Sequence, residues 1–269
     1  MHINNFQSLS AELSNVILPG IHALKHALRF GAEIVLSLSP DKAKLVELAE
    51  DLAPDTVDFI KLKVQEVELG QYQSLIKDAH RTGVISIAKK PRVKLKQVLE
   101  SKKPLILIED CRNLKNLGAV IRVSAGADIG GVLSLSDQVD IWHPNVLVGS
   151  AGLNFAVPCI NITEDDLSLI KQYRELLALD PDTGKERDDL GHPGLPFSEV
   201  NLRRMNDSGS PEDSPTAKPP VYIFGTERGG ISQQLLSLSD ERIRIPMKPG
   251  VSSLNLATSV AIVVYKAID

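Results

Sequence analysis

Three short blocks in the sequence place glycine beside amide, hydroxyl and charged side chains, each at the mouth of an apolar run. The first is Asn116-Leu-Gly-Ala-Val-Ile-Arg122, followed by Ser124 and Ala125. Gly118 allows close backbone approach, and a helix start with a nearby arginine attracts an anion such as a phosphate. The second is Phe224-Gly-Thr-Glu-Arg-Gly-Gly-Ile231. With no side chain at Gly225, a planar ligand could lie against the backbone, while Glu227 orders the loop or holds a polar group. The third runs Ile245-Pro-Met-Lys-Pro-Gly-Val-Ser-Ser-Leu-Asn-Leu-Ala257. Ile245, Met247 and Leu254 suit an apolar slot of adenine size, and Ser253 and Asn255 bring a hydroxyl and an amide to a helix start. Each block alone also reads as plain structure: an amphipathic helix with one surface arginine, a strand–turn–helix connection, and a capped helix. Their order and spacing together are far more specific.

A fourth feature is electrostatic. Lys89, Lys90, Arg92, Lys94, Lys96, Lys102 and Lys103 crowd into residues 89–103, offset by Glu100, in a chain whose formal net charge is −4. Phosphates feel a local patch rather than the net charge, because screening lengths are short. The segment is either a solvated linker and helix face or a surface for nucleic-acid phosphates.

The elements that must position these blocks fall into two patterns. Residues 1–90 read as a small α/β unit. Gln7–Phe30 is helical with a restart at Pro19-Gly20, Ile34–Leu38 is a buried strand, Asp41–Asp51 is a helix, and Val57–Leu62 and Val84–Ala88 are strand candidates with a helix between them. Residues 91–103 form the basic linker. From Pro104 to residue 269, strands alternate with helices: strands at Leu105–Glu109, Val132–Leu135, Phe155–Ile160, Leu176–Leu179, Val221–Phe224 and Arg242–Pro246, and helices at Leu117–Ala127, Thr163–Glu175 and Ser252–Ala267. That rhythm predicts an α/β fold with a mainly parallel six-stranded sheet covered on both faces, and ligands bind outside the carboxyl ends of such strands. Residues 181–220 break the rhythm. The stretch Asn206–Lys218 has almost no large apolar residue and predicts a mobile surface insertion.

The remaining composition excludes more than it specifies. Cys111 and Cys159 have no CxxC spacing, so neither a disulfide framework nor a zinc site is expected, and His22 and His26, four apart on a helix, lack the glutamate of a zinc-protease motif. Metal is therefore not expected. The first ten residues resemble no secretory signal, and the longest apolar stretch, near Leu254–Tyr265, is too short to span a membrane, so a cytoplasmic protein is expected. The glycines at 118, 126, 130 and 131 do not make GxGxxG, which argues against a nicotinamide enzyme, and no phosphate-binding P-loop is present.

NLGAVIRVSAGAD, FGTERGGIS and IPMKPGVSSLNLATSVAI resemble the three motifs of the SpoU (TrmH-like) RNA 2′-O-ribose methyltransferases of the SPOUT superfamily, and Gly149-Ser-Ala-Gly152 with Phe155 and Pro158 is similar to that family's middle region. The resemblance covers about residues 104–268. Residues 1–90 resemble the ribosomal-protein-like RNA-binding domain often fused ahead of it, through Gly20-Ile-His-Ala-Leu and His80-Arg-Thr-Gly-Val84. The resemblance implies a C-terminal trefoil knot, S-adenosylmethionine as cofactor, a homodimer, and an RNA substrate, ribosomal RNA favoured over transfer RNA. It also implies that Asn116, Arg122, Glu227, Ser253 and Asn255 match catalytic positions, and that Leu179, Phe224, Gly225, Ile245, Met247 and Leu254 match cofactor-contacting ones. The basic segment, chiefly Lys89, Lys90, Arg92, Lys94 and Lys96, would then meet RNA. Two rivals stand: an RNA-binding protein of this fold without catalysis, and a methyltransferase acting on a tRNA ribose or on a base.

Overall fold

The structure is a computed structural model that describes residues 2–75, 81–179, 195–196, 218–225, 229–248, 250–251 and 253–268. By its internal contacts the chain forms two compact units. One comprises Met1–Arg92 with Leu117–Arg122 and Trp142–Ala156, and the other holds Val93–Asn116, Val123–Ile141 and Val157–Asp269.

In the first unit the elements run α1 (His2–Ala11), β1 (Asn15–Pro19), α2 (Gly20–Arg29), β2 (Ile34–Ser39), α3 (Lys42–Leu52), α4 (Val57–Lys63), β3 (Gln65–Glu66), α5 (Leu69–Leu75) and β4 (Ile85–Lys89). Four strands make a mixed sheet in the order β1-β4-β2-β3, with β4 antiparallel to both β1 and β2. Leu36, Leu38, Ile85 and Ile87 share a cluster with Phe6 of α1 and Tyr72 of α5, whereas a second cluster joins Ile21 and Leu24 of α2 to Leu45, Ala49 and Ile60. Between those strand residues, Ser37 Oγ donates to Ser86 Oγ at 2.7 Å, satisfying two buried hydroxyls across the β2–β4 pair.

Two expectations for this region are corrected. Asn15–Pro19 is a strand where helix is expected up to a restart at Pro19-Gly20, because Val16 and Leu18 are buried against β4 and the tertiary pairing overrides a weak helical period. Val57–Leu62 is helical rather than extended. Pro54 starts a single 3-10 turn, Pro54–Thr56, that leads into α4, and Ile60 is buried on its inner face.

The second unit continues with α6 (Leu95–Leu99), β5 (Leu105–Glu109), α7 (Leu114–Gly126), β6 (Gly131–Leu135), α8 (Pro144–Ser150), β7 (Cys159–Ile162), α9 (Asp166–Tyr173), β8 (Glu175–Leu179), β9 (Leu195–Pro196), β10 (Pro220–Phe224), α10 (Gln233–Leu238), β11 (Glu241–Arg244) and α11 (Leu256–Ile268), though α8 and part of α7 belong to the first unit by contact. Every strand pairing in its sheet is parallel, in the order β7-β6-β5-β10-β8-β11, with the two-residue β9 added outside β11. Alternate residues of both parities are buried: Leu105, Leu107, Leu176, Ala178, Val221 and Ile223 in a cluster with α6, α9 and α10, and Ile106, Ile108, Leu177 and Tyr222 on the reverse. The sheet is thus covered on both faces, as its unbroken apolar strands require. The strand expected at Phe155–Ile160 lies later, at Cys159–Ile162, because Leu153–Phe155 forms a 3-10 turn. The expected mobile insertion falls outside the described residues except at its edges and at Leu195–Pro196, which pairs with Ile243–Arg244. Among the described residues no helix is long and apolar enough to cross a membrane, and no cluster of metal-ligating side chains occurs.

Candidate functional site

The carboxyl ends of three adjacent strands meet level with one another. In the β10–β8 ladder Phe224 is opposite Leu179, and in the β11–β8 ladder Ile243 is opposite the same Leu179. Leu179, Phe224 and Gly225 therefore sit together at one sheet edge, and Ile245 and Met247 follow directly where β11 ends. Phe224 and Leu179 are nearly buried, while Ile245 and Met247 are half-buried and Leu254 is 37% exposed. The carboxyl ends of parallel strands are where such sheets take their ligands, and these part-covered apolar side chains lie there.

Gly225 is glycine for a reason other than the one its sequence suggests. A Cβ there would lie 2.0 Å from the carbonyl carbon and oxygen of Gly230. The space freed by the missing side chain is filled by the far end of its own loop, so a ligand at this point would meet backbone N–H and C=O groups. Gly230 itself is left-handed, at φ 65°, which closes the loop without Cβ strain. Glu227, between these glycines, lies outside the described residues.

Two acidic residues at the end of β5 brace the neighbouring strand ends, Glu109 towards the glycine loop and Asp110 towards the end of β6, and the sequence motifs did not single them out. The Glu109 carboxylate accepts the backbone N–H of Ser232 at 2.8 Å. Ser232 is the N-cap of α10 and accepts in turn from Leu235 N–H through its hydroxyl. Glu109 thus anchors the downstream end of the glycine loop. Asp110 next to it has φ 39°, rare for a residue with a side chain. Its N–H donates to the Leu135 carbonyl, and its carboxylate accepts from Ser136 Oγ and from Arg112 Nε. A glutamate ending a strand carries no sequence signal that distinguishes it from any other surface acid, so only the fold reveals this tie.

Ser253 and Asn255 are exposed ahead of α11, and Asn255 Oδ1 accepts the N–H groups of Ala257 and Thr258. Its acceptor oxygen is used as a helix cap, and its amide donor has no hydrogen-bond partner among the described residues. Asn116 and Arg122 both lie on α7, whose N-cap Asn113 accepts from Asn116 N–H. Six residues of helix separate them, so they point about 120° apart around its axis. Arg122 is exposed and sits in the first unit, whereas the strand-end residues belong to the second.

Of the basic segment, Lys89 is paired with Glu12 at 3.2 Å and Lys103 with Asp128 at 2.5 Å. Arg92, Lys94, Lys96 and Lys102 are exposed and make no ion pair among the described residues. Sequence reasoning missed what shapes the end of this segment. The Arg174 side chain is fully buried, and its guanidinium donates to the carbonyls of Leu99 at 3.0 Å, Val98 at 2.9 Å, Lys103 at 2.8 Å and Ser101. It caps α6 from outside the helix. Burial pushes its pKa down to about 10, which still leaves it charged at neutral pH.

The SpoU rRNA Methylase family matches residues 103–265, more than half of the chain. The chain belongs to the SpoU rRNA methylase family. Mitochondrial rRNA methyltransferase 3 of Homo sapiens is 28% identical over 93% of this chain and 66% of its own length. The 23S rRNA (adenosine(1067)-2′-O)-methyltransferase of Streptomyces azureus is 20% identical, covering 96% of this chain and 88% of that protein. A crystal structure of an AdoMet-bound rRNA methyltransferase from Sinorhizobium meliloti superposes with a TM-score of 0.72 at 19% identity, covering 99% of this chain and 93% of that one, and shares the fold. The chain spans slightly less than two thirds of the length of the human and mouse mitochondrial relatives, 66% of each. In this SpoU chain the matched region takes in all three motif blocks and every strand of the parallel sheet, since it begins ahead of β5 and ends within α11.

Proposed function

We propose that this SpoU chain transfers the methyl group of S-adenosylmethionine to a ribose 2′-hydroxyl of RNA, ribosomal RNA in particular. The observation that carries the reading is the level ending of β8, β10 and β11, which gathers Leu179, Phe224, Gly225, Ile245 and Met247 at one edge within a family-matched sheet. These residues fit the cofactor's adenosyl group: the part-covered apolar side chains would flank the base, and the backbone groups beside Gly225 would meet its polar edge. Bound there, the cofactor supplies an electrophilic methyl group on sulfonium.

Arg122 is the residue for the RNA side. A guanidinium stays protonated in proteins, so it does not take the hydroxyl proton, which would pass to solvent as the methyl leaves sulfur and S-adenosylhomocysteine is released. It grips the neighbouring phosphate and stabilises negative charge as it develops on the 2′-oxygen, an effect of a few kcal/mol in comparable sites. Asn116, Glu227, Ser253 and Asn255 complete the set that the family resemblance implies, with Asn255 offering the amide donor left after capping α11. The N-terminal unit, residues 1–90, and the exposed cations Arg92, Lys94 and Lys96 of the linker hold the RNA backbone, while shape selects the loop. The protein acts as a homodimer, consistent with Val251, ahead of α11, and Tyr265, in its last turn, each standing 48% exposed. Its two cysteines, both buried and outside any disulfide, suit the reducing cytoplasm; fractionation tests that against the mitochondrial setting named for the relatives.

The test is transfer of tritiated methyl from S-adenosylmethionine to total RNA from a strain lacking the gene, followed by nuclease digestion. A labelled 2′-O-methylated dinucleotide supports the reading, and label on a base overturns the ribose assignment. Calorimetry separates the inactive alternative, since a non-catalytic RNA binder of this fold would show no heat of cofactor binding. Arg122→Lys retaining full turnover with unchanged pH dependence would remove that residue from the chemistry.

A further inference from the structure

Resting on the methyltransferase reading, we propose that His26 is a positioning residue for Arg122, holding the Ala151–Gly152 turn that ends α8, the helix against which the Arg122 helix is clamped. All the residues concerned lie in the first compact unit. The His26 ring Nδ1 is 2.7 Å from the Ala151 carbonyl oxygen, a contact across 125 residues of sequence. A carbonyl only accepts, so Nδ1 carries the hydrogen and the tautomer of a neutral ring is set.

The turn it holds is unusual. Ala151 is left-handed at φ 55°, and Gly152 follows at φ 81°. A left-handed alanine is costly, and the histidine bond fixes the carbonyl of that residue. On the α2 side, a Cβ at Gly152 would come 2.7 Å from the Cα and carbonyl oxygen of Ala23. On the α7 side, a Cβ at Gly118 would come 2.4 Å from the Val146 carbonyl and 2.7 Å from Gly149 Cα and Ser150 N. Backbone therefore meets backbone on two sides of the C-terminal part of α8, towards α7 and, through the turn that follows it, towards α2. Gly118 and Arg122 are four residues apart, on the same face of α7, one turn from each other. The clamp runs from His26 through Ala151 and α8 to Gly118, and its last member is the guanidinium of Arg122.

Electrostatics agrees with that proximity. Burial lowers the His26 pKa, the Ala151 carbonyl works the other way, and the charges of Lys25, Arg29 and Arg122 add to the lowering. Arg29 is itself held by Asp55 at 2.6 Å. A neutral imidazole can hold the turn without placing a further cation beside Arg122.

The experiment uses the full chain and two variants. His26→Leu removes the donor, and His26→Asn puts an amide Nδ2 where Nδ1 stood. The expected result is a drop in kcat of roughly 10- to 100-fold for His26→Leu, with KM for S-adenosylmethionine unchanged, and recovery of most of that loss in His26→Asn. Wild-type kcat in His26→Leu overturns the proposal, as does His26→Asn being as poor as His26→Leu, which would give the imidazole a different role. Should His26→Leu fail to fold, His26→Asn decides alone: kcat within about threefold of wild type supports the positioning role, and a greater loss overturns it. A second readout is independent of turnover. The Arg122 guanidinium NMR signal, assigned by its loss in Arg122→Lys, should shift in His26→Leu and return in His26→Asn. If wild type methylates no RNA yet that signal behaves as expected, the methyltransferase reading fails and the positioning stands; an unmoved signal in both variants defeats the positioning.

Discussion

The carboxylate of Glu109 and the backbone N–H of Ser232 are joined at 2.8 Å across 123 residues of sequence. One hydrogen bond thereby ties the end of the strand preceding the first motif to the end of the loop formed by the second. A carboxylate accepting a backbone N–H at a helix start is among the stronger neutral-pH hydrogen bonds.

Glu109→Ala should therefore loosen the glycine loop before it harms the fold. The expected outcome is a loss of S-adenosylmethionine affinity of roughly 3- to 10-fold by calorimetry, in line with about 1 kcal/mol for such a bond. Glu109→Gln keeps an acceptor oxygen and should recover most of it. Equal affinity in all three proteins would detach Glu109 from the cofactor loop.

Arg174 should behave as a stability residue. Its charge is satisfied by four carbonyls and by no carboxylate among the described residues, so truncation leaves the end of α6 uncapped and a cavity behind it. Arg174→Ala is expected to cost about 3–5 kcal/mol, read as a fall in the urea midpoint. Arg174→Lys, with one compact donor group in place of a planar fork, should recover little.

The backbone contacts around α8 predict intolerance to a single methyl group. Gly118→Ala and Gly152→Ala each drive a Cβ to within 2.7 Å or less of main-chain atoms that have nowhere to move, and Gly152 adds left-handed strain. Each should lower stability by about 1–3 kcal/mol or more in chemical denaturation. By contrast Gly70→Ala, where nothing lies within 4 Å, should be nearly neutral.

Much of the fold was legible in the sequence, and the exceptions have physical causes. The strands at Leu105–Glu109, Leu176–Leu179 and Val221–Phe224 are unbroken apolar runs with nowhere to go but a two-sided parallel sheet. Asn15–Pro19 was hidden because five residues between helices show too little period to declare a strand until β4 pairs with them. Val57–Leu62 was misleading because VDFIKL contains apolar positions compatible with either period. At the candidate site, the apolar pattern of the third motif singled out Ile245 and Met247 and the family resemblance implied Leu179 and Phe224; the ladder register sets Leu179 and Phe224 opposite each other, and Ile245 and Met247 follow the end of β11. Glu109, Arg174 and the tie from His26 to Ala151 were invisible, since each acts on a backbone group far away in sequence, and a backbone group has no letter of its own.

Charge reversal at Lys94 and Lys96 tests the linker surface. Both are exposed and without an ion pair among the described residues, so a double Glu variant should weaken RNA binding and flatten the log–log salt dependence by about 1.5–2. Cofactor affinity should not change. A slope equal to that of wild type would take these two lysines off the RNA path.

The pH dependence follows from His26. Its folded pKa lies below the ordinary 6.5, so the unfolded chain binds the proton more readily. Stability from the neutral ring is fully present above 6.5 and is lost as pH falls through the depressed folded value. Urea midpoints measured down from pH 7.5 should fall below about pH 6.5, and the fall should be smaller in His26→Asn. Superimposable curves for the two proteins would show that His26 protonation is not linked to unfolding.

The first compact unit is discontinuous: its fold is completed by Leu117–Arg122 and Trp142–Ala156, which arrive only after the chain has already laid down the opening strand of the second. A piece cut at residue 92 would be missing the helix that lies along β1 and the glycine turn seated on Ala23. The amino-terminal part is consequently a poor cassette. Grafting it onto another methylase as residues 1–92 would transplant an unfinished object, and recombination that respects this architecture has to carry three segments together.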